Sequence, residues 1–335
     1  MYSEIKVVNK EHTEFDFTWI RVKTKFKVIV FNCVHDNRSD SYAWMDEHNS
    51  EDTLIVFWEA LNITNWDITW VKRLNGKIKN NKSHFLYLTG SEFDSNLYKS
   101  FNIEFNVKYF TAHDIKVVDQ WNRDHMPGPF DINIHKYKQF SYLNKKDTVS
   151  NRYILSRLYQ SNIIDNGAVS YHTMANEIFD KSVGFTDAGF EYIKMQCRNI
   201  PLVATDLVWL RDKHYQTYVN IVTEPENFIT ENTFKALGSN QIFFIVGKYK
   251  SLELLRRLGY KTFDAIIDES YDDIESDQER LFTVTREIVS FLSRTEDQIL
   301  GDYKKVITNI EHNRDLLFKQ TLKSKMQQFF DSNIT

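Results

Sequence analysis

Short apolar runs rich in β-branched and aromatic residues recur along the chain, and several are followed by segments with helical spacing. In the first third these runs are Lys25–Val34 (KFKVIVFNCV), Thr53–Trp58 (TLIVFW) and His84–Leu88 (HFLYL), with Val107–Phe110 a fourth. Strands buried on both faces of a parallel sheet read as uninterrupted apolar runs of this kind. Asn122–Asp131 (NRDHMPGPFD) is the strongest punctuation in the chain, with two prolines and a glycine within ten residues. It marks the approach to a domain boundary.

Beyond it the alternation resumes. Gln139–Leu143 (QFSYL) reads as a strand, and Val149–Ile164 as a helix with Ile154, Leu155, Leu158 and Ile163 on one stripe and Asp147 or Thr148 as its cap. Tyr218–Val222, Gln241–Val246 and Phe263–Ile267 read as further strands, with helices over Thr230–Leu237 and Ser251–Leu258, the second ending at Gly259. Strands alternating with helices imply right-handed crossovers and a parallel sheet. From about Asp277 the pattern is almost continuously helical, with Ile299, Tyr303, Val306, Ile310, Leu317, Met326 and Phe330 at helical intervals and no proline. No heptad is sustained there, so these are packing helices and not a coiled coil.

Composition narrows the classes of function. The 335 residues suffice for two domains, and 42% hydrophobic with 26% charged residues is ordinary for a protein with a large core. No apolar run approaches the ~18 residues of a membrane span. The opening MYSEIKVVNKEHTEF lacks the features of a signal peptide, and Cys33 and Cys197 form neither a disulfide framework nor a zinc cluster. A cytoplasmic location, without membrane partners, is expected. The formal net charge of −4 does not support a strongly basic nucleic-acid binder. With 10 glycines and no G-x-G-x-x-G or G-x-x-x-x-G-K-[ST], the Gly-rich phosphate loops are absent.

The chemically richest stretch is Thr217–Asp273. Ile221-Val222-Thr223-Glu224 is a strand running out into Glu224 and Glu226, followed by Thr230, Glu231, Asn232 and Lys235 at the start of a helix. In open α/β sheets, ligands sit beyond the carboxyl ends of strands, where helix N-termini receive anions. A carboxylate suits a pair of ribose hydroxyls and a lysine suits a diphosphate. The same spacing also fits a capping box at Thr230 with a Glu231–Lys235 surface pair. The acidic run Asp268-Glu269-Ser270-Tyr271-Asp272-Asp273 carries ligand types that suit Mg²⁺ or Mn²⁺. A capped helix start after Phe263–Ile267 is the favoured reading, and no metal is expected. Trp58, Trp66 and Trp70 suit core packing or an acceptor groove.

The stretch TEPENFITENTFKALGSNQIFFIVGKYKSLELLRRLGYKTFDAIIDESYDDI resembles the nucleotide-sugar domain of fucosyltransferase-like glycosyltransferases of the GT-B fold, in the versions found in bacteriophage genomes. The family pattern is a strand ending in T-E, then T-E-K with a following K, a strand entering a glycine, L-x-x-L-x-x-x-G-[FY]-x-T-F and I-D-E-S-Y-D. Glu224, Thr230, Glu231, Lys235, Gly247, Gly259, Thr262, Phe263 and Asp268 to Asp272 take those positions. Upstream, FSYLNKKDTVSNRYIL is similar to F-x-x-L-N-R-[RK]-x-x-x-x-R-x-x-[LI]-[LV], with Asn144, Lys145 and Arg152 on matched positions. The resemblance covers roughly Lys138–Arg280. It departs at T-E-K, which reads Thr230-Glu231-Asn232, so the family's phosphate-binding lysine is replaced by asparagine.

The resemblance implies an α/β fold of two Rossmann-like domains facing a cleft, with C-terminal helices packing across. The expected divisions are an acceptor-side domain at 1–135, a nucleotide-sugar domain at 136–295 and a helical segment at 296–335. It implies a glycosyltransferase moving a sugar from a nucleoside-diphosphate sugar to a hydroxyl acceptor on a modified DNA base, a protein or a glycan. The donor-binding set is Asn144, Lys145, Arg152, Glu224, Thr230, Glu231, Asn232 and Lys235, without a cofactor. Glu231 holds the ribose, and Arg152 with Lys235 holds the diphosphate. An inverting transfer needs a base near the acceptor hydroxyl. Placement beyond strand ends ranks Glu92, in the turn Thr89-Gly90-Ser91-Glu92, before Asp36, with His113-Asp114 a third position. The asparagine at position 232 favours a second reading, a non-catalytic member that keeps the fold as a binding or structural module, and the retention of Arg152, Glu231 and Lys235 together speaks against it.

Overall fold

A computed structural model describes residues 2–8, 21–24, 26–32, 48–59, 75–79, 81–89, 106–110, 114, 117–118, 138–144, 148–171, 217–224, 229–319 and 322–333. The chain is a mixed α/β protein with two parallel-rich sheets, and it divides into two compact units. Unit 1 comprises Met1–Lys116 and Gln320–Thr335, and unit 2 comprises Val117–Lys319.

Among the described residues, unit 1 is built on six strands: β1 (Tyr2–Val8), β2 (Arg21–Lys23), β3 (Lys27–Asn32), β4 (Thr53–Glu59), β5 (His84–Thr89) and β6 (Asn106–Tyr109). Their order is β2-β1-β3-β4-β5-β6; β2 pairs antiparallel with β1, and the other pairings are parallel. The runs that read as strands are strands; β1 (YSEIKVV) and β2 (RVK), whose apolar residues are interrupted by charges, precede them and do not read as strands. Consecutive residues Leu54, Ile55 and Val56 are all buried, as a parallel sheet covered on both faces requires. The last helix, Leu322–Asn333, belongs to this unit. Phe329 packs edge-on against Phe110 at 5.3 Å between ring centres, and Lys325 pairs with the buried Asp114.

Among the described residues, unit 2 carries four parallel strands, β7 (Lys138–Asn144), β8 (Gly167–Tyr171), β9 (Thr217–Thr223) and β10 (Ile242–Val246), in the order β8-β7-β9-β10. Helix α1 (Val149–Gln160) follows β7, α2 (Glu231–Gly238) follows β9 and α3 (Ser251–Arg257) follows β10. The chain then forms α4 (Asp277–Leu292), α5 (Glu296–Lys305) and α6 (Ile307–Lys319), so the helix Leu322–Asn333 is α7. Helices α1 and α4 pack together, as do α2 and α6. The continuous helical pattern is thus four helices. Ser276 caps α4, and Thr295 with Gln298 forms a capping box that opens α5.

Phe263–Ile267 is a correction. It is a turn and not a strand, with the amides of Ile266 and Ile267 both donating to the Phe263 carbonyl, at 2.9 and 3.0 Å. Phe263 and Ile267 are buried while Asp264 and Ala265 face solvent, so a short apolar run satisfied one helical turn as well as it would a strand. Two glycines are set by sterics. Gly259 ends α3 at φ +91°, the left-handed conformation a helix terminus favours for glycine. At Gly167 a side chain would lie 2.2 Å from the buried Phe140 ring across the β7–β8 pair.

The switch point in the second sheet as candidate site

Strand order places the candidate site. The chain leaves β7 for β8 on one side, then returns to place β9 and β10 on the other, so the direction of winding reverses between β7 and β9. Crossovers that diverge in this way open a crevice beyond the carboxyl ends of the two strands. Because β7 and β9 are parallel neighbours, the segments leaving them start at the same edge: Asn144 ends β7 and Glu224 follows β9.

Helix α1 is anchored at this edge by local chemistry. The Thr148 hydroxyl accepts the Asn151 amide at 3.2 Å, so Thr148 is the cap. The buried Tyr142 hydroxyl of β7 donates to the Asn151 side chain at 3.0 Å and ties helix to strand. Arg152 closes the first turn, half-buried, one position beyond these anchors.

On the β9 side, Glu224 is 4% exposed, and its carboxylate accepts three hydrogen bonds from the start of α2. Oε1 accepts the Thr230 amide at 3.0 Å and the Thr233 hydroxyl at 2.6 Å, and Oε2 accepts the Thr230 hydroxyl at 2.7 Å. The Thr230 hydroxyl accepts the Asn232 amide in turn, at 3.2 Å, which makes Thr230 the cap of α2. Burial pushes the Glu224 carboxyl up to about 7, against the opposing pull of the Thr233 and Thr230 hydrogen bonds. Glu231 and Lys235 are half-buried on α2, and Asn232 is exposed.

The edge therefore gathers Asn144, Arg152, Glu224, Thr230, Glu231 and Asn232 onto two strand ends and two helix starts, while Lys235 lies in the last turn of α2. Lys145 lies outside the described residues, as do Glu92, Asp36, His113, Trp66 and Trp70. Asp114, the partner of His113 in the third candidate pair, is 2% exposed and held by the Lys325 ammonium at 2.5 Å. Thr233 was not legible as a site residue, although Thr-x-x-Thr places two hydroxyls on one side of a first turn, within reach of a carboxylate ahead of it.

The acidic run 268–273 has a different arrangement. Asp268 caps a short 3-10 segment, Glu269–Asp273, by accepting the Ser270 amide at 3.0 Å, and its carboxyl lies below the ordinary range because of its bonds with Ser270. Glu269 accepts the Phe263 amide at 2.6 Å and pairs with Arg256. Asp272 accepts the amides of Leu252 and Glu253, each at 3.0 Å, and so holds the start of α3. Burial raises the carboxyls of both Glu269 and Asp272. Arg280, buried on α4, donates to the carbonyls of Gly247, Ile274 and Glu275 at 2.5–3.1 Å. A cleft of about 580 Å³ lies over this region, and its lining includes none of the switch-point residues named above. Among the described residues, no three His, Cys, Asp or Glu side chains are grouped to hold a metal ion, and no helix is long and apolar enough to cross a membrane. No family model, no curated protein and no solved structure matches the chain.

Proposed function

We propose that this chain is a nucleotide-sugar-dependent glycosyltransferase of the GT-B type, with the donor nucleotide in the crevice between β7 and β9. The observation that carries the reading is the switch point itself. Arg152 and Glu231, both singled out by the resemblance, stand in the first turns of the two helices that leave its strands. In this reading Glu231 accepts hydrogen bonds from the ribose hydroxyls. Arg152 and Lys235, with the amides of the helix starts, neutralise the diphosphate. The acceptor hydroxyl attacks the anomeric carbon as the bond to the phosphate oxygen breaks. The nucleoside diphosphate departs with that electron pair, and the acceptor proton passes to a carboxylate of residues 1–135, Glu92 or Asp36. The acceptor classes are a modified DNA base, a protein or a glycan, and the setting is the cytoplasm, a host's if the gene is viral.

Titration with GDP, UDP and ADP, followed by a donor screen that monitors nucleoside diphosphate release, tests this. Binding of one diphosphate with turnover of its sugar conjugate supports it, whereas no binding of any at millimolar concentration ends it. Arg152→Ala is expected to lower turnover by at least ~100-fold, the scale of one preorganised electrostatic stabiliser. Arg152→Lys should not restore it, because a point charge does not replace a bidentate fork.

One observation favours a second reading, a non-catalytic binding module. Asn232, exposed on the first turn of α2, stands where the family pattern has its phosphate-binding lysine. Asn232→Lys separates the two: tighter nucleotide binding supports the donor site, and unchanged affinity argues for the module.

A further inference from the structure

We infer that Glu224 is a positioning residue of this crevice: its carboxylate sets the first turn of α2, and Glu231 with it, without touching the nucleotide. The inference rests on the donor-site reading above and assigns to Glu224 a task that binding alone does not explain.

The geometry is that of an internal clamp. Glu224 is fixed at its own backbone, where its amide donates to the Val246 carbonyl of β10 at 2.9 Å. Its side chain then reaches three donors that belong to the entry and first turn of α2, namely the Thr230 amide, the Thr230 hydroxyl and the Thr233 hydroxyl. One rigid strand end is thus bonded on both sides of Glu231, at the residue before it and the second residue after it. Thr233 is 0% exposed, so no ligand reaches its hydroxyl. All three donors are neutral, and among the described residues Glu224 makes no ion pair. The charged neighbour acting on it is Glu231 of α2, which disfavours its ionisation, while β10 and the start of α3 present Val246, Gly247 and Ser251. A carboxylate held in this way orients what it is bonded to, as groups behind a ligand-binding shell do.

The test compares Glu224→Gln, Thr233→Val, Thr233→Ser and the double variant Glu224→Gln/Thr233→Val with the unaltered protein. Titration with GDP, UDP and ADP measures affinity, and the amide resonances of Thr230 and Asn232 are followed without ligand from pH 5 to 9. In the unaltered protein the Thr230 resonance should move with a midpoint near pH 7, and Glu224→Gln should abolish the movement. Glu224→Gln and Thr233→Val should each weaken nucleotide binding by roughly tenfold, the worth of about one hydrogen bond to a charged group. The double variant should be little worse than either single one. Thr233→Ser, which keeps the hydroxyl, should restore affinity.

Weakened binding in Glu224→Gln with unchanged binding in Thr233→Val overturns the inference, because the carboxylate would then contact the nucleotide itself. Unchanged α2 resonances in both variants overturn it as well. Should the unaltered protein bind no nucleoside diphosphate while the Thr230 resonance still titrates and responds to both variants, the clamp stands and the donor-site reading falls. If Thr233→Val fails to fold, Thr233→Ala, which also removes the hydroxyl, takes its place in the same comparison.

Discussion

Asp268, Glu269, Asp272 and Asp273 crowd into one short segment, while among the described residues the edge between β7 and β9 offers its carboxylates one at a time, at Glu224 and Glu231. Three of these four acids are committed to backbone: Asp268 takes an amide of its own turn, Glu269 that of Phe263, and Asp272 those of Leu252 and Glu253. At the sparse edge, Glu224 also serves backbone and hydroxyl groups, but the helix it fixes opens onto the place where the sheet reverses direction. Density of charge and proximity to an open strand end are therefore separate properties. The second is the property that open α/β sheets use for ligand binding.

The sharpest way to break this contrast is Asp272→Ala, which leaves two amides at the start of α3 without their acceptor. It should cost about 3–4 kcal/mol of stability in chemical unfolding and leave nucleotide affinity unchanged. Lost affinity at full stability would reverse the roles of the two regions.

Glu224 should give an effect of similar size that depends on pH. Its carboxyl titrates near 4.5 when unfolded and at about 7 in the fold, so the fold favours the protonated form. The stability it lends is complete below pH 4.5 and is lost as pH rises to about 7, a change of roughly 3 kcal/mol. Unfolding free energies of the unaltered protein should fall by that amount relative to Glu224→Gln between pH 4 and 8. Parallel pH profiles for the two proteins would sink the assignment.

The mildest change sharpens the comparison from the ligand side. Glu231→Ala should weaken nucleotide binding by ~1.5–3 kcal/mol, the cost of lost hydrogen bonds to a charged group, while shifting the melting temperature little. The opposite outcome, a lowered melting temperature with an unchanged dissociation constant, would make Glu231 part of the helix cap.

The α/β class and most strands were legible because strands buried on both faces leave long apolar runs, as at Thr53–Glu59 and Ile242–Val246. Strand β8, GAVSY, was not, since it lies at the sheet edge and is small and polar enough to read as loop. The Thr148 and Thr230 caps were legible because capping is local, within three residues. The work of the acidic run was not, because Asp272 meets its amide partners 19 and 20 residues away. The clamp on α2 fell between these cases. Its donors lie six and nine residues after Glu224, but the burial that makes the carboxylate matter belongs to the tertiary fold.

The division of the chain has a consequence for its synthesis. Unit 2 is one uninterrupted stretch lodged between the two pieces of unit 1. On the ribosome, strands β3–β5 emerge early, yet their unit is completed only when α7 arrives and Lys325 reaches Asp114, 211 positions earlier. At about 5–20 residues per second that interval is roughly 10–40 s. The nested unit therefore has time to fold before α7 arrives to complete its host. Nascent chains arrested just before Gln320 are the species for which chaperones would compete.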